Sequence, residues 1–150
     1  QAKSWFKFSP KIDAALSALP KEELLGHRRV GDYPALGYPV VPVQAYLDCC
    51  DAFGLDKTKL EFVTEENPAS VPGLDPGLLP LVDFYRLMHA KTVLRGNSSF
   101  SYWAVVLGDS ERVFSPVVKG VSNPRDICFV EGNWPACSDI DFVTDIHLEP

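Results

Sequence analysis

Short apolar runs typical of buried β-strands alternate with helical patterns along this chain. The strand-type runs are 24–29, 60–64, 91–94 and 112–115, and the helical segments lie between them. An alternation of this kind favours a parallel sheet, because each helix carries the chain back to the edge where the next strand begins. The sequence therefore predicts an α/β fold, a parallel sheet with helices on both faces.

The predicted helices begin and end at recognisable residues. Ser9 and Pro10 form a cap and a first turn for a helix that continues through Leu19. The other three helices are predicted at 43–53, 80–90 and 99–107. Because the first helix stands apart from the alternating pattern, we expect residues 1–20 to form a linker helix and residues 21–150 to form one domain.

Segments rich in proline and glycine separate these elements. Residues 30–42 and 67–79 are predicted loops, and the second is long enough to suggest a functional role. From residue 119 onwards the sequence predicts irregular structure, apart from a candidate strand at 127–130.

Polar residues follow three of the predicted strands. The three clusters are 27–32, 64–66 and 95–99. In open α/β sheets ligands bind beyond the carboxyl ends of the strands, and these clusters are all placed there. The sequence therefore predicts one ligand site at this edge of the sheet.

The first cluster is basic. Arg29 is our candidate for binding the phosphates of a ligand, because a guanidinium is always charged and can contact phosphate with two hydrogen bonds. The alternative is a solvated turn in which Asp32 pairs with an arginine. His27 would orient Arg29 or contact the ligand. Its simpler interpretation, which we favour, is a hydrogen-bonded histidine at the end of a strand.

The third cluster leads into a helix, at 97–103. A helix start presents unpaired N–H groups and the positive end of the helix dipole, which suits a phosphate. Asn97 and the hydroxyls of Ser98, Ser99 and Ser101 would add donors. The alternative is that Ser98 or Ser99 simply caps the helix. Phe100 and Trp103 are predicted core residues.

Carboxylates offer a means of recognising a base. Glu65 or Glu66 could accept hydrogen bonds from the N1–H and the amine of guanine, and the alternative is an exposed acidic turn. Asp83 could contact the base or ribose. The interpretation that we favour slightly is that it only places negative charge in the first turn of a helix.

These motifs together resemble one protein family. The pattern H-x-R-x-G-D-Y, starting at His27, is similar to a signature of the α-1,2-fucosyltransferases (glycosyltransferase family 11), and the stretch from Asn97 to Trp103 resembles their N-S-T-F-S-W-W element. Their order and spacing also agree, and the resemblance extends over about residues 24–135. Departures from the pattern are Val30 in place of an arginine, Arg28 in place of a small apolar residue and Tyr102 in place of a tryptophan.

The resemblance implies a specific activity. It implies the Rossmann-like, donor-binding carboxyl-terminal half of a GT-B glycosyltransferase, in which 21–150 binds GDP-fucose and Arg29 is catalytic. Fucose would pass to the 2-hydroxyl of a galactose-like glycan acceptor, with inversion and without a metal or other cofactor. A separate acceptor-binding domain is an expected partner. The alternative is a non-catalytic nucleotide-sugar-binding module, or a truncated relative that lacks the acceptor domain.

Composition and charge argue against two classes of protein, those that bind nucleic acids and those that span a membrane. The chain has 150 residues, a net charge of −6 and a pI of about 5.0, which argues against a nucleic-acid surface. Its apolar runs are too short for a transmembrane segment. A glycan on the Asn97-Ser98-Ser99 sequon would block the proposed phosphate site, so we expect a cytoplasmic protein.

Cysteines and acidic pairs give weaker indications. Cysteines occur at 49, 50, 128 and 137 without a C-x-x-C pair, so we expect free thiols and no zinc site. A disulfide between Cys128 and Cys137 is the alternative. The sequence Asp139-Ile140-Asp141 has the spacing of a D-x-D metal site, but a solvated acidic turn is the expected interpretation.

Overall fold

A five-stranded sheet with the strand order β2-β1-β3-β4-β5 forms the centre of the fold. The computed structural model describes residues 6–66, 71–120 and 135–145. The strands are β1 (Leu24–His27), β2 (Leu60–Val63), β3 (Thr92–Leu94), β4 (Arg112–Val118) and β5 (Ile140–Thr144). The helices are α1 (Pro10–Leu16), α2 (Tyr33–Leu36), α3 (Val43–Phe53), α4 (Leu79–His89) and α5 (Ser99–Leu107). Short 3-10 turns occur at Lys57–Lys59, Pro76–Leu78 and Cys137–Asp139.

The first four strands run parallel, as the sequence predicts. Leu24 pairs with Leu60 on one side and with Thr92 on the other, so β1, β2 and β3 begin level with one another. All the residues of β1 and β3 are buried. Continuous burial of this kind is typical of parallel strands that are covered on both faces. The α/β prediction is confirmed at this level, and the architecture is compatible with a Rossmann-like fold.

The predictions for the end of the chain are wrong in one respect. Residues 140–144 form β5, which pairs antiparallel with β4, so the sheet is mixed. Ile140 and Phe142 are buried and Asp141 is exposed, which is the alternation of an edge strand with one face on the core. The candidate strand at 127–130 lies outside the described residues, as does Cys128 of the alternative disulfide.

Apolar clusters cover the sheet on its two faces. On one face Tyr46 and Cys49 of α3 pack with Leu94 and Phe114. On the other face helices α4 and α5 pack on strand residues whose side chains alternate with the first set; this cluster includes Leu25, Leu87, Val93, Ala104, Val105 and Val113. The predicted helices at 43–53 and 99–107 are confirmed, and α4 begins one residue before the prediction.

Helix α1 is shorter than predicted. It ends at Leu16 and is followed by Ser17 rather than continuing through Leu19. Leu16 is fully buried. Burial of this side chain shows that α1 packs on the rest of the fold.

The two cysteines of α3 are free thiols inside the fold. Burial raises the pKa of Cys49 to about 12 and also raises the pKa of Cys50. Both thiols are therefore protonated and unreactive near neutral pH. Within the described residues, no helix combines the length and the apolar character that crossing a membrane requires.

Two leucines of contrasting burial test this description of the core. Leu25 of β1 is 0% exposed, and Leu36 at the end of α2 is 60% exposed. We expect Leu25→Ala to lower the free energy of unfolding by about 2–5 kcal/mol, because the substitution leaves a cavity between the sheet and its helices. Leu36→Ala should change it by less than about 0.5 kcal/mol. Urea denaturation of both variants would check this, and equal losses would contradict the assigned core.

Candidate functional site

The two sequence motifs meet beyond the carboxyl ends of β1 and β3. The hydroxyl of Tyr33 donates a hydrogen bond of 2.7 Å to the backbone oxygen of Asn97. The side-chain amide of Asn97 donates to the oxygen of Pro39 at 2.9 Å, and Asn97 is itself buried. The two motifs, separated by some 60 residues of sequence, are therefore parts of one structure.

A glycine permits this close approach. A Cβ atom on Gly96 would lie 2.7 Å from the backbone oxygen of His27 and 3.0 Å from its Nδ1, so a larger residue would push the two segments apart. The same oxygen of His27 accepts a 2.6 Å hydrogen bond from the buried hydroxyl of Tyr46 on α3. The end of β1 is thus held in place by its contact with Gly96 of the third cluster and by the hydrogen bond from Tyr46 of α3.

A cavity of about 340 Å³ opens at this edge of the sheet. Its volume is within the range of small-molecule sites. Its walls combine apolar side chains with a few ionisable groups. The lining residues are His27, Arg29, Val63, Thr64, Glu65, Pro76, Leu79, Pro80, Asp83 and Phe100.

Arg29 lies in the cavity wall between two carboxylates. Its Nε and Nη2 donate to the two oxygens of Asp32 at 2.9 and 3.0 Å, and Nε also lies 2.8 Å from Oε1 of Glu65. The guanidinium carbon stands 5.9 Å from the centre of the Tyr33 ring. Hydrogen bonding to the Asp32 carboxylate raises the pKa of Arg29, and the same bonding lowers the pKa of Asp32. The pairing of Asp32 with an arginine is observed, and Arg29 also faces the cavity.

The two adjacent glutamates have different positions. Glu65 lines the cavity, and its second oxygen, Oε2, accepts a 3.2 Å hydrogen bond from the N–H of Val30. Glu66 is exposed, and the cavity lining does not include it. The structure therefore brings only Glu65 to the site, with both of its oxygens engaged.

His27 is a neutral group in the cavity wall. It is only 3% exposed, and burial together with the charges of Arg29 and Arg95 lowers its pKa to about 3. Its ring stands 5.6 Å from the ring of Phe100. Among the described residues, none hydrogen-bonds to its buried Nδ1 atom. The interpretation of His27 as a hydrogen-bonded histidine at the end of a strand is therefore wrong for Nδ1.

Asp83 also lines the cavity. It lies in the second turn of α4, so the expectation that it charges the first turn of this helix is wrong. Its carboxylate lies 3.3 Å from Nη1 of Arg86. Nε of the same guanidinium lies 2.6 Å from Glu22, and Nη2 lies 3.3 Å from Glu61. Three carboxylates thus share one guanidinium.

The serines at the start of α5 have mainly structural contacts. Ser98 caps the helix, since its Oγ accepts a 3.2 Å hydrogen bond from the N–H of Phe100. Ser101 is fully buried and donates to the backbone oxygens of Gly96 and Ser98. Ser99 is exposed. Phe100 is the residue of α5 that lines the cavity, and the lining includes none of the three serine hydroxyls.

Sequence reasoning missed a buried ion pair next to the site. Nε of Arg95 donates to Oδ2 of Asp145 at 2.8 Å and to Oγ of Ser115 at 2.9 Å. The guanidinium of Arg95 also stands 5.4 Å from the centre of the Tyr102 ring. The position of Arg95 after a strand was the available signal, but its partner could be found only with β5. Trp103 is 51% exposed, so its assignment to the core is wrong.

The D-x-D sequence is split between two elements. Asp139 ends a 3-10 turn, where its oxygens accept from the N–H of Ala136 and from Ser138, whereas Asp141 is an exposed residue of β5. The expected acidic turn is thus a turn followed by a strand. In residues 6–66, 71–120 and 135–145, no three or more His, Cys, Asp or Glu side chains are placed so that they could hold a metal ion.

Comparison with protein-family models, with curated proteins and with solved structures gives no match. The resemblance to fucosyltransferases stays a prediction from the two motifs.

The bond between the two motifs can be tested by removing one oxygen. We expect Tyr33→Phe to lower the free energy of unfolding by about 1 kcal/mol, since it leaves the buried oxygen of Asn97 without this donor. Tyr38→Phe is the matched control, because that half-exposed ring packs on Tyr33 and both substitutions keep the ring contact. Chemical denaturation measures both, and a Tyr33→Phe variant as stable as the control would contradict the coupling.

The depressed pKa of His27 predicts a pH dependence of stability. An unfolded chain protonates this ring below about pH 6.5, whereas the folded chain keeps it neutral down to about pH 3. The stability that depends on keeping the His27 ring neutral is therefore complete above about pH 6.5, and it is lost as the pH falls towards 3. Between pH 7 and pH 5 the free energy of unfolding should fall about 2 kcal/mol further in the natural chain than in His27→Gln. Urea titrations at the two pH values would measure this, and parallel behaviour would refute it.

Proposed function

We propose that this domain binds GDP-fucose in the cavity and is the donor-binding half of an inverting fucosyltransferase. The acceptor would be the 2-hydroxyl of a galactose-like sugar, as the resemblance implies. The observation that carries this proposal is the hydrogen bond from Tyr33 to Asn97, which joins the two motifs of the resemblance beside one cavity. The position of that cavity at the carboxyl ends of parallel strands agrees with nucleotide binding.

The lining residues suggest how the ligand would be held. The ring of Phe100 offers a flat surface for a base, Leu79 adds apolar contact, and Asp83 offers acceptors for donor groups on the edge of the base. The side chain of Arg29 is one-third exposed, so a diphosphate can reach it from the cavity.

Electrostatics then gives Arg29 its role in transfer. As the bond between fucose and the diphosphate breaks, negative charge grows on the leaving diphosphate. A guanidinium held in position by Asp32 meets that charge without further reorganisation. The group that removes the proton of the acceptor hydroxyl would come from the acceptor-binding part of the enzyme.

One observation favours the alternative of a binding module without turnover. Arg29 carries one positive charge and already contacts two carboxylates, so the three groups together have a net charge of −1. A guanidinium with two counter-ions stabilises a leaving diphosphate less than a guanidinium with one. Such a module would bind GDP-fucose but transfer no fucose.

Calorimetric titration with GDP, GDP-fucose, UDP and ADP in EDTA tests the proposal. We expect micromolar binding that is selective for guanine, and we expect Arg29→Gln to weaken it roughly 10- to 100-fold, the value of a charge-assisted hydrogen bond. Arg112→Gln is the control, because Arg112 lies at the opposite, amino-end edge of the sheet and rests on Phe114.

Two results separate the candidates. In a protein that also contains the acceptor-binding part, fucose transfer to a galactoside that is lost in Arg29→Gln supports the enzyme, and binding of GDP-fucose without transfer supports the module. An absence of guanine-nucleotide binding by the folded chain would contradict both.

A further inference from the structure

Glu65 connects the ends of two strands through one carboxylate. It follows β2, yet Oε1 lies 2.8 Å from Nε of Arg29, and Oε2 accepts from the N–H of Val30 at 3.2 Å, both beyond the end of β1. The ladder between these strands continues as far as the bond from the N–H of Arg28 to the oxygen of Val63 at 3.0 Å. Glu65 therefore takes up the next donors along β1.

These two donors are a set that also binds phosphate. A guanidinium N–H and a backbone N–H next to a glycine are typical partners of phosphate oxygens. The turn at Gly31 runs close beside this carboxylate, since a Cβ atom at Gly31 would lie 3.7 Å from Oε1 of Glu65, an ordinary van der Waals distance. A carboxylate resembles part of a phosphate in shape and charge, and it occupies these donors on the cavity side.

The two counter-ions of Arg29, Asp32 and Glu65, differ in their contacts with the guanidinium and in their position relative to the cavity. Asp32 is three residues away on the same turn, binds through a two-point contact and does not line the cavity. Glu65 comes from another strand, lines the cavity and shares with Asp32 the single hydrogen of Nε. Of the two, Glu65 makes the weaker set of contacts with Arg29 and stands where a ligand enters.

We propose that the Glu65 carboxylate occupies the position of a ligand phosphate, and that a diphosphate binds by displacing it from Arg29 and from the N–H of Val30. This inference rests on the proposed function, and it assigns Glu65 a role other than recognising a base. Glu65 is then a specificity-determining residue. It excludes weak anions, because an entering group must replace a full negative charge on the same two donors.

Removing that charge should tighten the binding of a diphosphate. Glu65→Gln keeps the shape of the side chain but gives up the charge that competes for Arg29. The charge of Glu65 repels a diphosphate that approaches the same donors, and this repulsion is stronger in a partly buried site than in bulk water, so we expect pyrophosphate to bind about tenfold more tightly to Glu65→Gln.

The experiment uses sodium pyrophosphate as the probe, titrated calorimetrically into the natural chain, Glu65→Gln and the control Glu111→Gln. Glu111 is an exposed residue just before β4, at the amino-end edge of the sheet, so its substitution removes the same charge far from the cavity. Thermal unfolding verifies that each variant is folded. The Nε–H resonance of Arg29 in NMR spectra, assigned by its loss in Arg29→Gln, reports the exchange of partners directly.

The expected result is a gain of about tenfold in Glu65→Gln, no gain in Glu111→Gln and a shift of the Arg29 resonance on addition of pyrophosphate. Equal or weaker binding of pyrophosphate by folded Glu65→Gln overturns the displacement, and so does an absence of pyrophosphate binding by both the natural chain and Glu65→Gln.

GDP titrated in parallel separates this inference from the proposed function. If GDP binds but Glu65→Gln does not bind pyrophosphate more tightly, the proposed function is supported and the displacement of Glu65 is refuted. If Glu65→Gln binds pyrophosphate more tightly but neither GDP nor GDP-fucose binds, the anion site is supported and the proposed function is refuted.

Discussion

The level pairing of β1 between β2 and β3 is the constraint on which the site depends. Because Leu24 is opposite both Leu60 and Thr92, the three strands end side by side. Residues that follow each strand are then within side-chain reach of one another, although the sequence separates them widely. A slip of the register would carry Glu65 away from Arg29. It would also transfer apolar side chains from one covered face of the sheet to the other, out of the clusters in which they pack.

Charges at this edge are balanced in small groups. Arg29 is matched by Asp32 and Glu65, and Arg95 is matched by Asp145 inside the fold. His27 is buried and is subject to the positive charges of both arginines, so it stays neutral. Fixed cations with local counter-ions can face a ligand without destabilising the empty protein, and each carboxylate that is used in this way competes with the ligand for its arginine.

The sequence predicts the elements with local signals and fails where the signal is distant. Apolar runs define the parallel strands, and the glycine after α3 defines the end of that helix. The three polar clusters are found at the predicted edge of the sheet. Asp145 was missed because it lies 50 residues from Arg95 and follows an edge strand with only a short alternation. Trp103 was misplaced because α5 is apolar almost all round, so its periodicity does not indicate which side faces solvent. The engagement of Glu65 depends on strand register, which the sequence does not specify.

The reversal of direction between β4 and β5 determines the edge of the sheet at which β5 begins. Val118 and Ile140 are paired at the carboxyl end of β4, and the N–H of Lys119 donates to the oxygen of Asp139 at 2.7 Å. The chain therefore leaves the sheet and returns to it at neighbouring points on the edge that carries the cavity. A parallel fifth strand would instead have required a crossover that carries the chain back to the opposite edge of the sheet. The reversal therefore brings the start of β5 to the same edge as the cavity, so the end of β4 and the start of β5 face the side of the sheet where a ligand would enter.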